Sequence, residues 1–378
     1  MKVKKLGLML SLSFLIFLYL GSVSAGNVHV IDDRNYLSYF DANGQLLPNS
    51  CDNGDTLELK DMGNKSFNIN KNLFIIGYNA STKLTDCYFG FGGGSDGSSL
   101  TGINLTNTKK GHLTAISADN ILLENNTMSY DSGFNVVGGF VVEMGRSRNS
   151  KFINNTFKRT GGSTCLHLIG GENIDLIGNN ISSGDRVHQG GNVVHLEGKK
   201  YNVICNNITG SPSNICWGIK MSADDSLIDK NDISDAQTGI MLFGERNTIS
   251  NNNIHDFDAT LAAGSFHMYF DAVGIQISCK NSSIVNNTIT GVKEDGENIY
   301  MHDVEGVVMI VKSFAFRSDS YDVSKYCSQN KITMSSPNSW VFDERTSNNT
   351  NLHVFENNNV VGNSKVTGPP LTSSNGGF

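Results

Sequence analysis

The sequence predicts an all-β chain wound into one right-handed parallel β-helix with an N-terminal cap. Three observations carry this expectation. The pattern apolar-x-x-Asn-x-apolar recurs nine times. Its copies are too closely spaced for strand–helix–strand units. Apolar-x-apolar triplets precede the copies by about ten residues, as in Val142 to Met144, Leu166 to Leu168, Val194 to Leu196, Ile219 to Met221, Ile240 to Leu242 and Ile275 to Ile277, the alternation of strands with one buried face.

The pattern's Asn positions are Asn126, Asn155, Asn179, Asn206, Asn231, Asn252, Asn287, Asn330 and Asn358, spaced by 29, 24, 27, 25, 21, 35, 43 and 28 residues. The flanks are apolar every time, from Leu123 and Met128 around the first copy to Phe355 and Val360 around the last. Each repeat reads as one coil of a solenoid. Its short strands pair in parallel with the coils above and below, and its inward side chains stack into a continuous core that no coil could form alone. Asn suits the corner between strands because it tolerates the left-handed backbone region and its amide can bond its equivalent one coil away. These nine residues are therefore expected to be a structural ladder rather than catalytic groups.

Solenoids need closed ends, since an open coil exposes core and unpaired strand edges. Residues 26–71 read as an N-terminal cap and first coil, with Tyr36-Leu37-Ser38-Tyr39-Phe40 as a short amphipathic piece over it. Residues 72–365 read as the coils with inserted loops, and 366–378, opening with Gly368-Pro369-Pro370 within a Ser- and Gly-rich stretch, as a flexible tail. At the other end, Lys2, Lys4 and Lys5 precede an apolar run from Leu6 to Leu20 that stops at Val23-Ser24-Ala25. Residues 1–25 thus read as a signal peptide, and the protein is expected to be secreted or held at the cell surface, with no integral membrane span after processing.

Removing that segment leaves 26 basic against 36 acidic residues, a net charge of −10. Such a surface disfavours nucleic acid and anionic membranes as partners. The uniform Gly-, Asn- and Ser-rich composition, without a linker, favours one elongated domain, expected to be a monomer. Seven cysteines are odd in number and show no CxxC spacing, so neither a disulfide framework nor a zinc site is signalled, although Cys51 and Cys87 could pair. No metal and no cofactor is expected. Ten Asn-x-Ser/Thr sequons permit glycosylation, several of them arising from Asn-Asn-Thr corners.

Two places could carry function. Against a minimum repeat of 21 residues, insertions fall between Met128 and Val141, between His255 and Val273, and between Thr290 and Gln329. The last two hold Phe266, His267, Tyr269, Tyr300 and His302, aromatic and polar groups that can stack on sugar rings or simply pack the loops down. The other place is a strand face. The middle residues of the triplets, Glu143, His167, His195, Lys220, Met241 and Gln276, should stack one coil apart. A carboxylate, two imidazoles and an amine on one rigid line offer acid–base chemistry, while a solvated surface explains the same row. Gly92-Gly93-Gly94-Ser95-Asp96-Gly97 matches one unit of a calcium-binding glycine-rich repeat but occurs once, so it reads as a turn.

The head Asp33-Arg34-Asn35-Tyr36 through Tyr39-Phe40-Asp41, the turn Asp52-Asn53-Gly54-Asp55-Thr56-Leu57, the strand Phe67-Asn68-Ile69-Asn70-Lys71 and the Asn-Asn coils give the chain a resemblance along nearly its whole length. It resembles the adhesin-like surface proteins of methanogenic archaea, within the right-handed β-helix group of pectate-lyase-like architecture. The resemblance implies a surface-exposed module that recognises a polysaccharide, a cell-surface glycan or neighbouring cells. Unlike longer members, this chain carries no immunoglobulin-like repeats or wall-binding module. The same architecture hosts polysaccharide lyases, hydrolases and epimerases. Against those stands the absence of Asn-Thr-Asp, Gly-His-Gly, Arg-Ile-Lys, Asp-Pro-His and Arg-x-Pro-x-x-Arg motifs, with Asp224-Asp225 the lone partial match. A passive envelope component is the third reading.

Overall fold

The computed structural model describes residues 26–108, 111–131, 139–160, 164–183, 191–210 and 216–257, followed by strand segments between 260 and 366. Beyond residue 257, side chains are described mainly at 273–279 and 281–291. The expected ladder positions Asn330 and Asn358 lie outside the described residues.

The chain winds as a right-handed parallel β-helix. Strand Val142–Gly145 pairs in parallel with Leu166–Ile177, which pairs with Gly191–Ile204, then Cys216–Asp224, Thr238–Glu245 and Ala272–Lys280. The pairing follows from residue type. Val142, Leu166, Val194, Ile219, Ile240 and Ile275 stack inward in register, and so do Met144, Leu168, Leu196, Met221, Leu242 and Ile277. All are essentially inaccessible to solvent. A second sheet closes the far side of the core with Met128, Phe157, Ile181, Ile208, Ile233, Ile254 and Ile289, also in register and buried. Because strand side chains alternate between faces, a slip of one residue would turn an entire row out of the core, which is why register holds over so many coils.

At each corner the Asn amide meets all of its hydrogen-bonding capacity. The Asn206 Nδ2 donates to Asn231 Oδ1 at 2.9 Å and to the Leu176 carbonyl at 2.9 Å. Its Oδ1 accepts from both the backbone N–H and the side chain of Asn179. The same fourfold arrangement, or its terminal version, runs from Asn126 to Asn287. Of the two reasons expected for Asn, the amide bond to its equivalent one coil away holds and the left-handed backbone does not. The ladder Asn is not left-handed; the residue before it is, at Asn125, Asn154, Gly178, Cys205, Lys230, Asn251 and Asn286. The amide geometry alone selects Asn at the ladder position, and the strain of the corner falls one residue earlier.

A second ladder, of hydroxyls and one amide, lines another corner. Ser98 Oγ accepts from Leu73 N–H, Ser150 Oγ from Ile121 N–H, Ser226 Oγ from Tyr201 N–H, Asn247 Oδ1 from Ser226 N–H and Ser282 Oγ from Asn247 N–H.

The winding also starts earlier than the Asn pattern. Val28–Ile31 pairs with Thr56–Leu59, which pairs with Phe74–Gly77 and then Ser99–Thr101. The head folds over this end as a single 3-10 turn, Tyr36–Ser38, whose Tyr36 hydroxyl donates to the Ser66 carbonyl. Tyr36, Phe40, Phe67 and Phe89 then stack in sequence, with ring centroids 4.8–5.6 Å apart, and close the core with aromatic area. Cys51 and Cys87 do not pair: both are free buried thiols, and the Cys87 thiol lies against the carbonyls of Met62 and Thr85. Among the described residues no helix is long and apolar enough to cross a membrane.

Candidate functional site on the strand face

The register of the first sheet aligns Ala115, Glu143, His167, His195, Lys220, Met241 and Gln276 in one outward row, with Arg317 next by backbone position. From Glu143 to Gln276 each lies between two inward apolar residues, so the pleat aims it away from the core. Gly90 precedes Ala115 in the row. A side chain at Gly90 would stand 3.1 Å from the Tyr88 hydroxyl, so the small residues upstream leave room for that phenol.

Around the row the structure adds groups that the triplet pattern does not contain. His112 Nε2 lies 2.9 Å from Glu143 Oε2. Phe140 stacks between His112 and His167, at centroid distances of 5.3 and 4.3 Å, and His167 meets His195 at 5.2 Å. The result is a four-ring ladder. Behind it, the guanidinium of Arg159, 1 % exposed, lies over the rings of Tyr130 and Phe140 and donates to the Thr164 carbonyl at 2.5 Å. This buried cation braces Phe140 from the inside. Burial lowers the Arg159 pKa from its usual value.

Two of the imidazoles, His167 and His195, are held neutral. Burial, helped by the Lys220 ammonium and opposed by Glu197, brings the pKa of His195 down to about 4. Burial lowers that of His167 as well, against the pull of Glu143 and Glu197. His195 Nε2 sits 3.0 Å from Glu197 Oε1 but is too poorly aligned for a hydrogen bond, and His167 Nδ1 is 4.0 Å from Glu143 Oε1. The Nδ1 atoms of His112 and His167 and the Nε2 of His195 are thus buried with no well-aligned hydrogen-bond partner among the described residues. Unsatisfied nitrogens of this kind cost free energy, and three on one face mark a place built for something besides packing.

A groove of about 720 Å3 runs along the positions three to five residues beyond the row, with Arg146, Arg148, Gly170, Glu172, Gly198 and Lys199 among its walls. Glu172 gathers Lys199 at 3.1 Å, Lys200 at 3.7 Å and Arg148 at 4.0 Å. Arg146 forms no ion pair among the described residues. It holds a left-handed backbone at φ 56°, costly for a residue with a Cβ, and lies against Gly170.

Of the loop candidates, only the backbones of Tyr269 and Tyr300 are described. Phe266, His267 and His302 lie outside the described residues. Tyr269 and Tyr300 belong to two-residue strands, Tyr269–Phe270 and Ile299–Tyr300, whose backbones pair antiparallel with Thr260–Leu261 and Val308–Met309. The sequence signal for His112 and Phe140 was available but weak: each precedes a triplet by one or two residues, where the chain is still entering the strand.

No protein-family model matches the sequence, and no curated protein matches it. Among solved structures, the chain is similar to a PL6 family alginate lyase, AlyGC, with a TM-score of 0.52 and 12 % identity over 90 % of this chain and 53 % of that one. It is also similar to the alginate lyase AlyF-OU02 in complex with G6, with a TM-score of 0.49 and 13 % identity over 89 % and 90 %. The catalytic domain of a GH87 alpha-1,3-glucanase in complex with nigerose gives a TM-score of 0.47 and 12 % identity over 85 % and 61 %. At such identities the likeness is one of architecture, and it agrees with the strand registers: the chain is a parallel β-helix.

Proposed function

We propose that the protein is exported and binds an extended glycan along the strand face, with proton transfer at the row Glu143, His167, His195 and Lys220. The observation that supports this most is the set of three buried imidazole nitrogens without well-aligned partners among the described residues, beside a lysine, on one rigid face. Sugar hydroxyls would satisfy those nitrogens, and the edges of the stacked rings of His112, Phe140 and His167 would line the path of the chain. Arg146, without an ion-pair partner beside the groove, favours a uronate carboxylate over a neutral sugar.

An acidic glycan would undergo β-elimination here. A base removes the proton α to the carboxylate, a cation stabilises the charge that develops, and the electron pair forms the C=C bond as the glycosidic C–O bond breaks, the leaving oxygen taking its proton from water. His195, held neutral, suits the base, and the Lys220 ammonium suits the cation. Recognition without turnover, the adhesin-like reading, uses the same face and gains support from the missing enzyme motifs.

The test incubates the full chain with alginate, polygalacturonate and a neutral glucan, following retention, new reducing ends and unsaturated uronate absorbance. Retention of the acidic polymers with unsaturated product is expected. His195→Ala should lower product formation by roughly 100-fold or more, and Arg146→Ala should weaken retention about tenfold. Retention without product on any polymer would favour recognition alone. Neither retention nor product would remove the glycan reading altogether.

A further inference from the structure

At the N-terminal end, far from the strand face in the order of coils, the turn into the first coil gathers three metal-ligating side chains. His29 lies on the edge strand Val28–Ile31, Cys51 in the loop that follows the head, and Asp55 just before Thr56–Leu59. One donor atom from each lies within 4.8 Å of the others. Cys51 is 4 % exposed and Asp55 2 %. The carboxylate is held by its own support: Asn27 N–H donates to Oδ1 at 2.7 Å and Asp52 N–H to Oδ2 at 2.8 Å. The His29 ring is fixed by an edge contact with Tyr39 at 5.4 Å and places Nε2 2.8 Å from Asp55 Oδ2. The loop carrying the thiol is pinned by Lys71, whose ammonium donates to the carbonyls of Pro48 and Cys51.

We propose that His29, Cys51 and Asp55 form a binding site for a divalent cation of the zinc class. The donor set of one nitrogen, one sulfur and one oxygen argues for a borderline-soft ion and against calcium or magnesium, which take oxygen ligands. Tetrahedral ligands at about 2.0–2.3 Å from zinc stand about 3.3–3.8 Å from one another, so the cluster closes on an ion with movements of about 1 Å. Binding replaces the hydrogen bond between His29 Nε2 and Asp55 Oδ2, with the neutral imidazole carrying its proton on Nδ1, and releases the Cys51 thiol proton to solvent, so affinity rises with pH. The bonds from Asn27 and Asp52 then orient the carboxylate as outer-shell partners do, and a water fills the fourth position.

The three ligands come from the edge strand, the head loop and the first turn, and an ion would tie the head loop to the pairing of Val28–Ile31 with Thr56–Leu59. A cation at this point ties the terminal coil, where a solenoid has a neighbour on one side only. No local spacing announces the site, because His29 and Asp55 are 26 residues apart.

The test strips the full chain with a chelator and titrates it with Co2+ and then Zn2+. One equivalent should bind, giving a thiolate-to-cobalt charge-transfer band and a rise of several degrees in Tm. Zinc should protect Cys51 from alkylation in mapped mass spectra. Cys51→Ser and His29→Gln should lose the band and weaken binding roughly 100-fold, whereas Cys205→Ser, which removes an exposed thiol, should keep it. No band and no Tm shift in the unaltered chain would overturn the proposal, and so would a band that survives Cys51→Ser. If Cys51→Ser does not fold, alkylation of Cys51 undiminished by zinc in the unaltered chain overturns it equally.

Discussion

Asn206 shows how much one side chain carries in this architecture. Its amide serves Asn179, Asn231 and the Leu176 carbonyl, all buried. Truncation to Ala strands several buried polar groups at once, each worth about 1–3 kcal/mol. Asn206→Ala should therefore lower the unfolding free energy by roughly 3–5 kcal/mol, read as a shift in denaturant midpoint at unchanged m-value. His195 carries a different signature. Its folded pKa lies below the ordinary imidazole value, so the unfolded chain takes up the proton first as pH falls. The stability it contributes is complete above about pH 6.5 and is lost progressively toward pH 4. His167 acts in the same direction and His255, whose pKa is raised by Asp256 and Asp232 against desolvation, in the opposite one. Asp32, held at about 2 by Arg34, titrates below this window. Thermal unfolding followed from pH 7 to pH 4.5 should show a falling Tm, and His195→Gln should flatten that slope.

At the scale of the strand, close backbone approach sets the limits. A Cβ at Gly239 would stand 2.6 Å from the Gly274 carbonyl oxygen, and one at Gly218 would stand 2.6 Å from that of Gly239. These glycines let neighbouring coils meet where the strand enters the sheet. Gly239→Ala must push two coils apart, so it should cost about 1–3 kcal/mol and speed hydrogen exchange in Thr238–Glu245 relative to Leu166–Ile177. Strands were legible in the sequence wherever alternation was strict, as in Ile219 to Met221, because burial on one face writes itself into every second residue. The ladder positions were legible too, and so was the amide bond between coils, but the place of the left-handed residue was not: it stands one position earlier, as Cys205 or Lys230, residue types that no turn preference singles out. The coils of Thr56–Leu59 and Phe74–Gly77 escaped the pattern because their corners use other groups. Of the strand face, the row from Glu143 to Lys220 could be aligned by counting, whereas His112, Phe140 and Arg159 reach it through side-chain packing that counting does not see.

Over the whole molecule, the coils repeat with one orientation, and the Asn ladder inherits it. From Asn126 to Asn252 each Nδ2 donates to the ladder Asn on its C-terminal side, so each Oδ1 from Asn155 to Asn287 accepts from the ladder Asn on its N-terminal side. Backbone bonds between coils point both ways, as Lys151 N–H to Ile121 O and Asn125 N–H to Ile153 O do, and their dipoles largely cancel. Those of the side-chain amides add. The β-helix therefore contains a buried electric axis, with its positive end toward the C-terminal coils, in which each bond polarises the next. This polarity is fixed by the choice of amide at seven corners, and it makes the two ends of an otherwise repetitive rod electrostatically distinct.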